Sequence, residues 1–307
     1  MGVQGIDFGL HLGNEIHRSV FQGSVKDYFV DNVKGSSGGS GETWDDAFAQ
    51  PSQAITAWEA LRLTLRDPSY RARIFMRGTE DAYAALTALP SYCQMIGVGA
   101  EIRGNGVGIP RIGLDNGTTS GVLVAGTSRG LDVWNILFQS GYGLYPFKIT
   151  NMFRSGFHNC GFGTASPAAG DPPPVGFEID KASGLVIENC HWMNASSKTY
   201  GPVIGINITG THFHGCLVRN NFITGVDFGV VVAAGCVYGY GSVFEHNYIG
   251  EAGQVCAVGV DDNATEGHII YRDNDIGATV GGQLADNHTM RWIRNWTGVT
   301  ADTSSNE

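Results

Sequence analysis

The sequence is short of charge, proline and long apolar runs, and each shortage removes a class of protein. Only 16% of the 307 residues are charged, yet 42% are apolar. That balance excludes a disordered, highly charged chain. Proline occurs 10 times, too rarely for a collagen-like or proline-rich chain. No apolar run is long enough to span a bilayer. No basic region followed by an apolar stretch opens the chain, so no export signal is visible. The net charge is −10, and Lys and Arg form no patch. General nucleic-acid binding and docking on an anionic membrane are therefore not expected.

Cysteine is present but poorly placed for metals. Cys93, Cys160, Cys190, Cys216, Cys236 and Cys256 contain no CxxC pair. Buried free thiols are expected, without a zinc site and without any cofactor.

What the sequence does have is glycine, 45 residues of it, with many short apolar stretches between. One helix stands out. In "AFAQPSQAITAWEALRLTL", Ile55, Trp58, Leu61 and Leu65 form one apolar stripe, Pro51 suits the first turn, and Pro68 marks the end. A helix is expected near residues 48–66. Before it, "DYFVDN" alternates like a strand and "VKGSSGGSGETW" reads as a flexible Gly/Ser loop.

Beyond the helix a repeat appears. "GLDVWNILF" (Gly130 to Phe138) aligns without a gap over "GLVIENCHW" (Gly184 to Trp192), and looser copies follow. Taking one asparagine from each unit gives Asn135, Asn159, Asn189, Asn220, Asn247, Asn274 and Asn295, separated by 24, 30, 31, 27, 27 and 21 residues. A loose period of this size marks a solenoid. The units lack helical amphipathicity and carry too few leucines for leucine-rich repeats. A parallel β-helix remains, in which Asn tolerates the left-handed turn between sheets and stacks into a hydrogen-bonded ladder. Cys160 and Cys190 each follow their Asn and are expected to stack inward.

With these motifs in view, the chain resembles the right-handed parallel β-helix proteins of the pectate-lyase-like superfamily, over about residues 27–298. The stretch "YFVDNVKGSSGGSGETWDDAFAQPSQAITA" is similar to the start of many of them: a strand ending in Val-Asp, a Gly/Ser loop, "WxxAF", and a helix capping the first coil. "IGVGAEIRGNG" is similar to an early coil. The sub-pattern is the one found in bacteriophage virion proteins, as tail spikes and capsid or tail decorations. The resemblance implies an all-β solenoid with an N-terminal capping helix, residues 1–26 as an arm attaching to other virion proteins, and a tail over residues 299–307. It also implies a homotrimer, a location on the virion after synthesis in the host cytoplasm, and contact with host-surface polysaccharide.

The alternative is a polysaccharide depolymerase. The calcium-binding Asp set and catalytic Arg of pectate lyases do not map onto this sequence. A hydrolase instead needs two carboxylates. The candidates are Glu178, Asp180, Glu188, Asp227, Glu245, Glu251, Asp261 and Asp262. Glu188 and Glu245 lie at or near the residue before the repeat asparagine and are the catalytic candidates. His212 and His214 share a strand face but lack a third metal ligand. Trp134, Trp192, Tyr200, Tyr238, Tyr240, Tyr248, Trp292 and Trp296 could supply an aromatic row for sugar rings.

Overall fold

The computed structural model describes residues 25–65, 70–99, 108–113, 122–140, 147–164, 175–193, 203–236, 239–250, 256–264, 269–284 and 291–297. The arm up to residue 24, the tail, Glu251, Tyr200 and Tyr238 lie outside them. Short strands pair in parallel into three sheets of 10, 8 and 7 strands, here A, B and C. From Leu131–Trp134 onward the chain visits A, B and C in turn, one strand in each. The fold is an all-β parallel solenoid. Sheet A starts earliest, with Val25–Val30 beginning inside the expected arm.

The one helix among the described residues, α1 (Pro51–Leu65), precedes the three-sided coils. Pro51 stands in its first turn, where a missing N–H is harmless. Ala54, Ile55 and Trp58 join the solenoid core, and the Trp58 indole donates to the Ser91 carbonyl at 2.8 Å. Leu61 is half-buried against the core, but Leu65 is exposed, so the apolar stripe is shorter than its sequence pattern. The helix covers the N-terminal end of the core. No helix among the described residues is long and apolar enough to cross a membrane.

The Gly/Ser stretch before the helix is a pinned loop. The buried Asp31 carboxylate accepts the Val33 and Lys34 N–H groups (2.9 and 3.0 Å) and pairs with Arg77 at 2.7 Å. A Cβ on Gly35 would lie 2.3 Å from the Phe48 carbonyl oxygen, so the loop needs glycine there for close approach.

Five coils turn twice through left-handed backbone, the two corners five positions apart around the sheet A strand: Gly130 then Asn135, Arg154 then Asn159, Gly184 then Asn189, Gly215 then Asn220, Gly241 then His246. The repeated "Gly-x4-Asn" is therefore one short strand held between two corners. Gly and Asn recur because they tolerate positive φ best. Inward residues stack coil on coil. Val133, Phe157, Ile187, Val218, Phe244, Tyr271 and Trp292 form one such column on sheet A.

The seven repeat asparagines occupy two columns. Asn135, Asn159, Asn189 and Asn220 are left-handed corners; His246, Asp273 and Arg294 continue that column. Asn159 Nδ2 donates to Asn135 Oδ1 at 2.5 Å within the corner column, while Asn247, Asn274 and Asn295 stand one position later, after Asn221, and form a second ladder, buried except at Asn295. Asn221 Nδ2 donates to Asn247 Oδ1, Asn247 Nδ2 to Asn274 Oδ1 and Asn274 Nδ2 to Asn295 Oδ1, at 2.9, 2.9 and 2.8 Å. The same amides donate to the Ile187, Val218 and Phe244 carbonyls of the preceding coil. In earlier coils the ladder position holds Ile136, Cys160 and Cys190. All six cysteines are buried, and burial holds Cys93, Cys190 and Cys216 protonated.

Candidate functional site

In six successive coils the last residue of the sheet A strand lies just before the corner, in a column on the face away from the core. Read along the axis this column is Trp134, His158, Glu188, Arg219, Glu245 and Arg272. Adjacent strands are about 4.8 Å apart, so opposite charges on consecutive coils meet. Arg219 Nε donates to Glu188 Oε2 at 2.7 Å, and Arg272 Nε donates to Glu245 Oε2 at 2.8 Å.

His158 is the centre of the densest cluster. It is 1% exposed although it lies on the outward column. Its Nδ1–H donates to Glu188 Oε1 at 2.8 Å, its Nε2 lies 3.4 Å from Asp132 Oδ1, and its ring stacks on Trp134 with centroids 3.9 Å apart. Gly156 makes this possible, because a Cβ there would lie 2.2 Å from His158 Nε2. Burial opposes the charge on His158, but the two carboxylates outweigh it and lift the imidazole to about 9. Burial likewise raises Glu188, while His158 and Arg219 pull it further down, to about 2. At neutral pH His158 is an imidazolium and Glu188 a carboxylate, with Asp132 and Arg219 at the two ends of the cluster.

This geometry bears on the carboxylate candidates. Glu188 and Glu245 share a column two coils apart, about 10 Å, with Arg219 between them. A general acid for glycoside cleavage needs a raised pKa, and Glu188 is depressed. Glu178 lies on sheet C, buried and paired with Lys148. Asp262 is buried and accepts the Tyr271 hydroxyl at 2.8 Å. Asp261 accepts from Asn263 at 3.0 Å. Asp180 is half-buried and Asp227 exposed, and neither lies on the outward column with Glu188 and Glu245. His212 and His214 are exposed, His212 beside the Thr211 hydroxyl at 2.6 Å. Among the described residues no three His, Cys, Asp or Glu gather as a metal-holding group.

The aromatic candidates divide. Trp192 and Trp292 are core residues, Trp134 covers His158, and Tyr240 is 44% exposed. Tyr248 and Trp296 lie outward on sheet B, in the column His191, Phe222, Tyr248, Asp275, Trp296. Asp132, His158, Arg219, Arg272 and Phe222 were not singled out by their sequence context. For His158, Arg219 and Arg272 the signal was the alternation Trp, His, Glu, Arg, Glu, Arg at one repeat position, visible once the corners are aligned. No family model matches this chain, and no curated protein matches it.

Proposed function

We propose that this chain is a structural solenoid of the kind built into bacteriophage virions, as a surface decoration or tail-spike-like element, and that it meets host-surface glycans without cutting them. One observation carries the non-catalytic part: the two carboxylates best placed for hydrolysis are each held by a cation, and Glu188 is driven away from the protonated state a general acid needs. The virion part is supported by the resemblance of the opening strand, Gly/Ser loop and capping helix, in that order. In this reading the chain assembles as a homotrimer, and residues 1–26 attach it to other virion proteins.

The test is incubation of the full chain with capsular polysaccharide and lipopolysaccharide from candidate hosts. No new reducing ends and no unsaturated uronates are expected. Cleavage abolished by Glu188→Gln or Glu245→Gln would establish the depolymerase instead. Light scattering is expected to give a trimer mass, and a monomer would remove that part of the reading.

A further inference from the structure

The outward column of sheet B is unlike that of sheet A. Sheet A carries paired charges there. Sheet B carries His191, Phe222 and Tyr248 on consecutive coils, then Asp275, then Trp296. Phe222 and Tyr248 stack face to face, with centroids 4.8 Å apart and planes 6° apart. Phe222 thus covers one face of the Tyr248 ring. The other face looks along the axis towards the coil bearing Asp275.

Asp275 is small and exposed, so the column dips there. Trp296, one coil further on, is 70% exposed, the largest exposure among the large apolar residues described. Tyr248 and Trp296 are two strand spacings apart, about 10 Å. That spacing, less the thickness of two aromatic rings, would admit one saturated six-membered ring into the dip between them. Its walls are aromatic and its floor is a carboxylate.

We infer that Tyr248, Asp275 and Trp296 form a carbohydrate subsite that takes a neutral or N-acetylated pyranose, with the glycan lying along sheet B. The inference rests on the reading of the chain as a glycan-contacting solenoid and gives that contact an address. Three features select the occupant. A pyranose presents C–H groups to the ring faces and hydroxyl donors to the Asp275 carboxylate. The carboxylate and the net charge of −10 disfavour uronates, phosphates and nucleic acid bases on their backbone. Isolated exposed apolar residues need no explanation, but an aromatic column running into a carboxylate does. The rings of His191 and Phe222 (centroids 5.7 Å apart) continue the apolar edge towards the next sugars.

The test uses the full chain on a printed array of neutral, N-acetylated and uronate-bearing oligosaccharides, followed by saturation-transfer NMR on each bound sugar. Binding of neutral or N-acetylated oligomers is expected, with tryptophan fluorescence changing on titration. Trp296→Ala and Tyr248→Ala are each expected to weaken binding at least tenfold with an unchanged circular dichroism spectrum. Asp275→Asn is expected to weaken it less and to admit uronates. Array binding that survives Trp296→Ala and Tyr248→Ala overturns the subsite but leaves the glycan reading standing. A silent array overturns both. A change in oligomer mass in Trp296→Ala, without sugar binding by the unaltered chain, makes the patch a subunit contact and overturns the subsite.

Discussion

The solenoid fills one turn in two ways. In the coils around residues 131–193, the position after the left-handed corner holds Ile136, Cys160 and Cys190. In the coils around residues 217–297 it holds Asn221, Asn247, Asn274 and Asn295. Both fillings serve one backbone group. Cys160 and Cys190 point their thiols at the Val133 and Phe157 carbonyls of the preceding coil, at 3.4 and 3.5 Å. The asparagines donate to the corresponding Ile187, Val218, Phe244 and Tyr271 carbonyls at 3.0 to 3.1 Å. A thiol is a weak donor, and these also approach the His158 and Glu188 carbonyls of their own coils at 3.5 and 3.3 Å. An amide also accepts from the neighbouring coil, so it links coils in both directions. The first half compensates with aromatic packing: Phe138, Phe147, Phe157, Phe162, Phe177 and Trp192 interlock with T-shaped and tilted rings. The turn therefore accepts either a donor or, at Ile136, an apolar side chain at this place, and the two halves draw their cohesion from different sources.

The comparison can be broken at its most charged point first. Glu188→Ala would strip His158 and Arg219 of their shared partner inside the first half. Removing one member of a buried ion pair costs about 4 kcal/mol, and urea denaturation is expected to show a loss of that order. Asn247→Ala attacks the second half. It removes the acceptor of the buried Asn221 N–H and the amide donor to the Val218 carbonyl, together with one rung on either side, at about 3 kcal/mol in total. Hydrogen exchange is expected to speed up at the Asn221 amide on the neighbouring coil, whereas Cys190→Ala is expected to stay local.

Acidity separates the halves next. Glu188 falls from 4.5 unfolded to about 2 folded, so its contribution is complete above pH 4.5 and is lost as pH falls through 2. His158 rises from 6.5 to about 9, so its contribution is complete below pH 6.5 and is lost as pH climbs through 9. Melting temperature against pH is expected to be highest between these limits, and His158→Gln is expected to flatten the alkaline side. The smallest effect is the exchange of fillings. Cys190→Asn would extend the ladder by one rung towards Asn221 and is expected to change stability by less than about 1 kcal/mol, in the stabilising direction.

The solenoid and its capping helix were legible in the sequence because they rest on local chemistry. Corner glycines and asparagines recur for want of steric penalty, and the Trp58 stripe has nowhere to go but onto a core. The ladder was legible only to within one residue. Corner and ladder positions are adjacent, both accept Asn, and Asn220–Asn221 fills both at once. After that coil the corner passes to His246, Asp273 and Arg294, while Asn moves one place on. Arginine is a poor left-handed residue. Here its guanidinium pairs with Asp273 through two bonds of 2.8 Å, a contact across coils that no local pattern encodes. The His158 cluster was hidden for the same reason, since its four members lie on four coils.

The two corners five residues apart also divide each coil into a gauge and a margin. Sheet A is metered, whereas the passage from sheet B to sheet C is not. It runs from Thr164 to Val175 in one coil, from Met193 to Ile204 in another and from Ile276 to Ala278 near the end. The uneven repeat length accumulates in that passage and in the one from sheet C to sheet A, which runs from His214 to Leu217 in one coil and from Val232 to Ser242 in the next, and leaves the stacked columns in phase. Foreign loops grafted there would be carried as passengers, whereas one residue added between a Gly and its Asn would derail every coil after it.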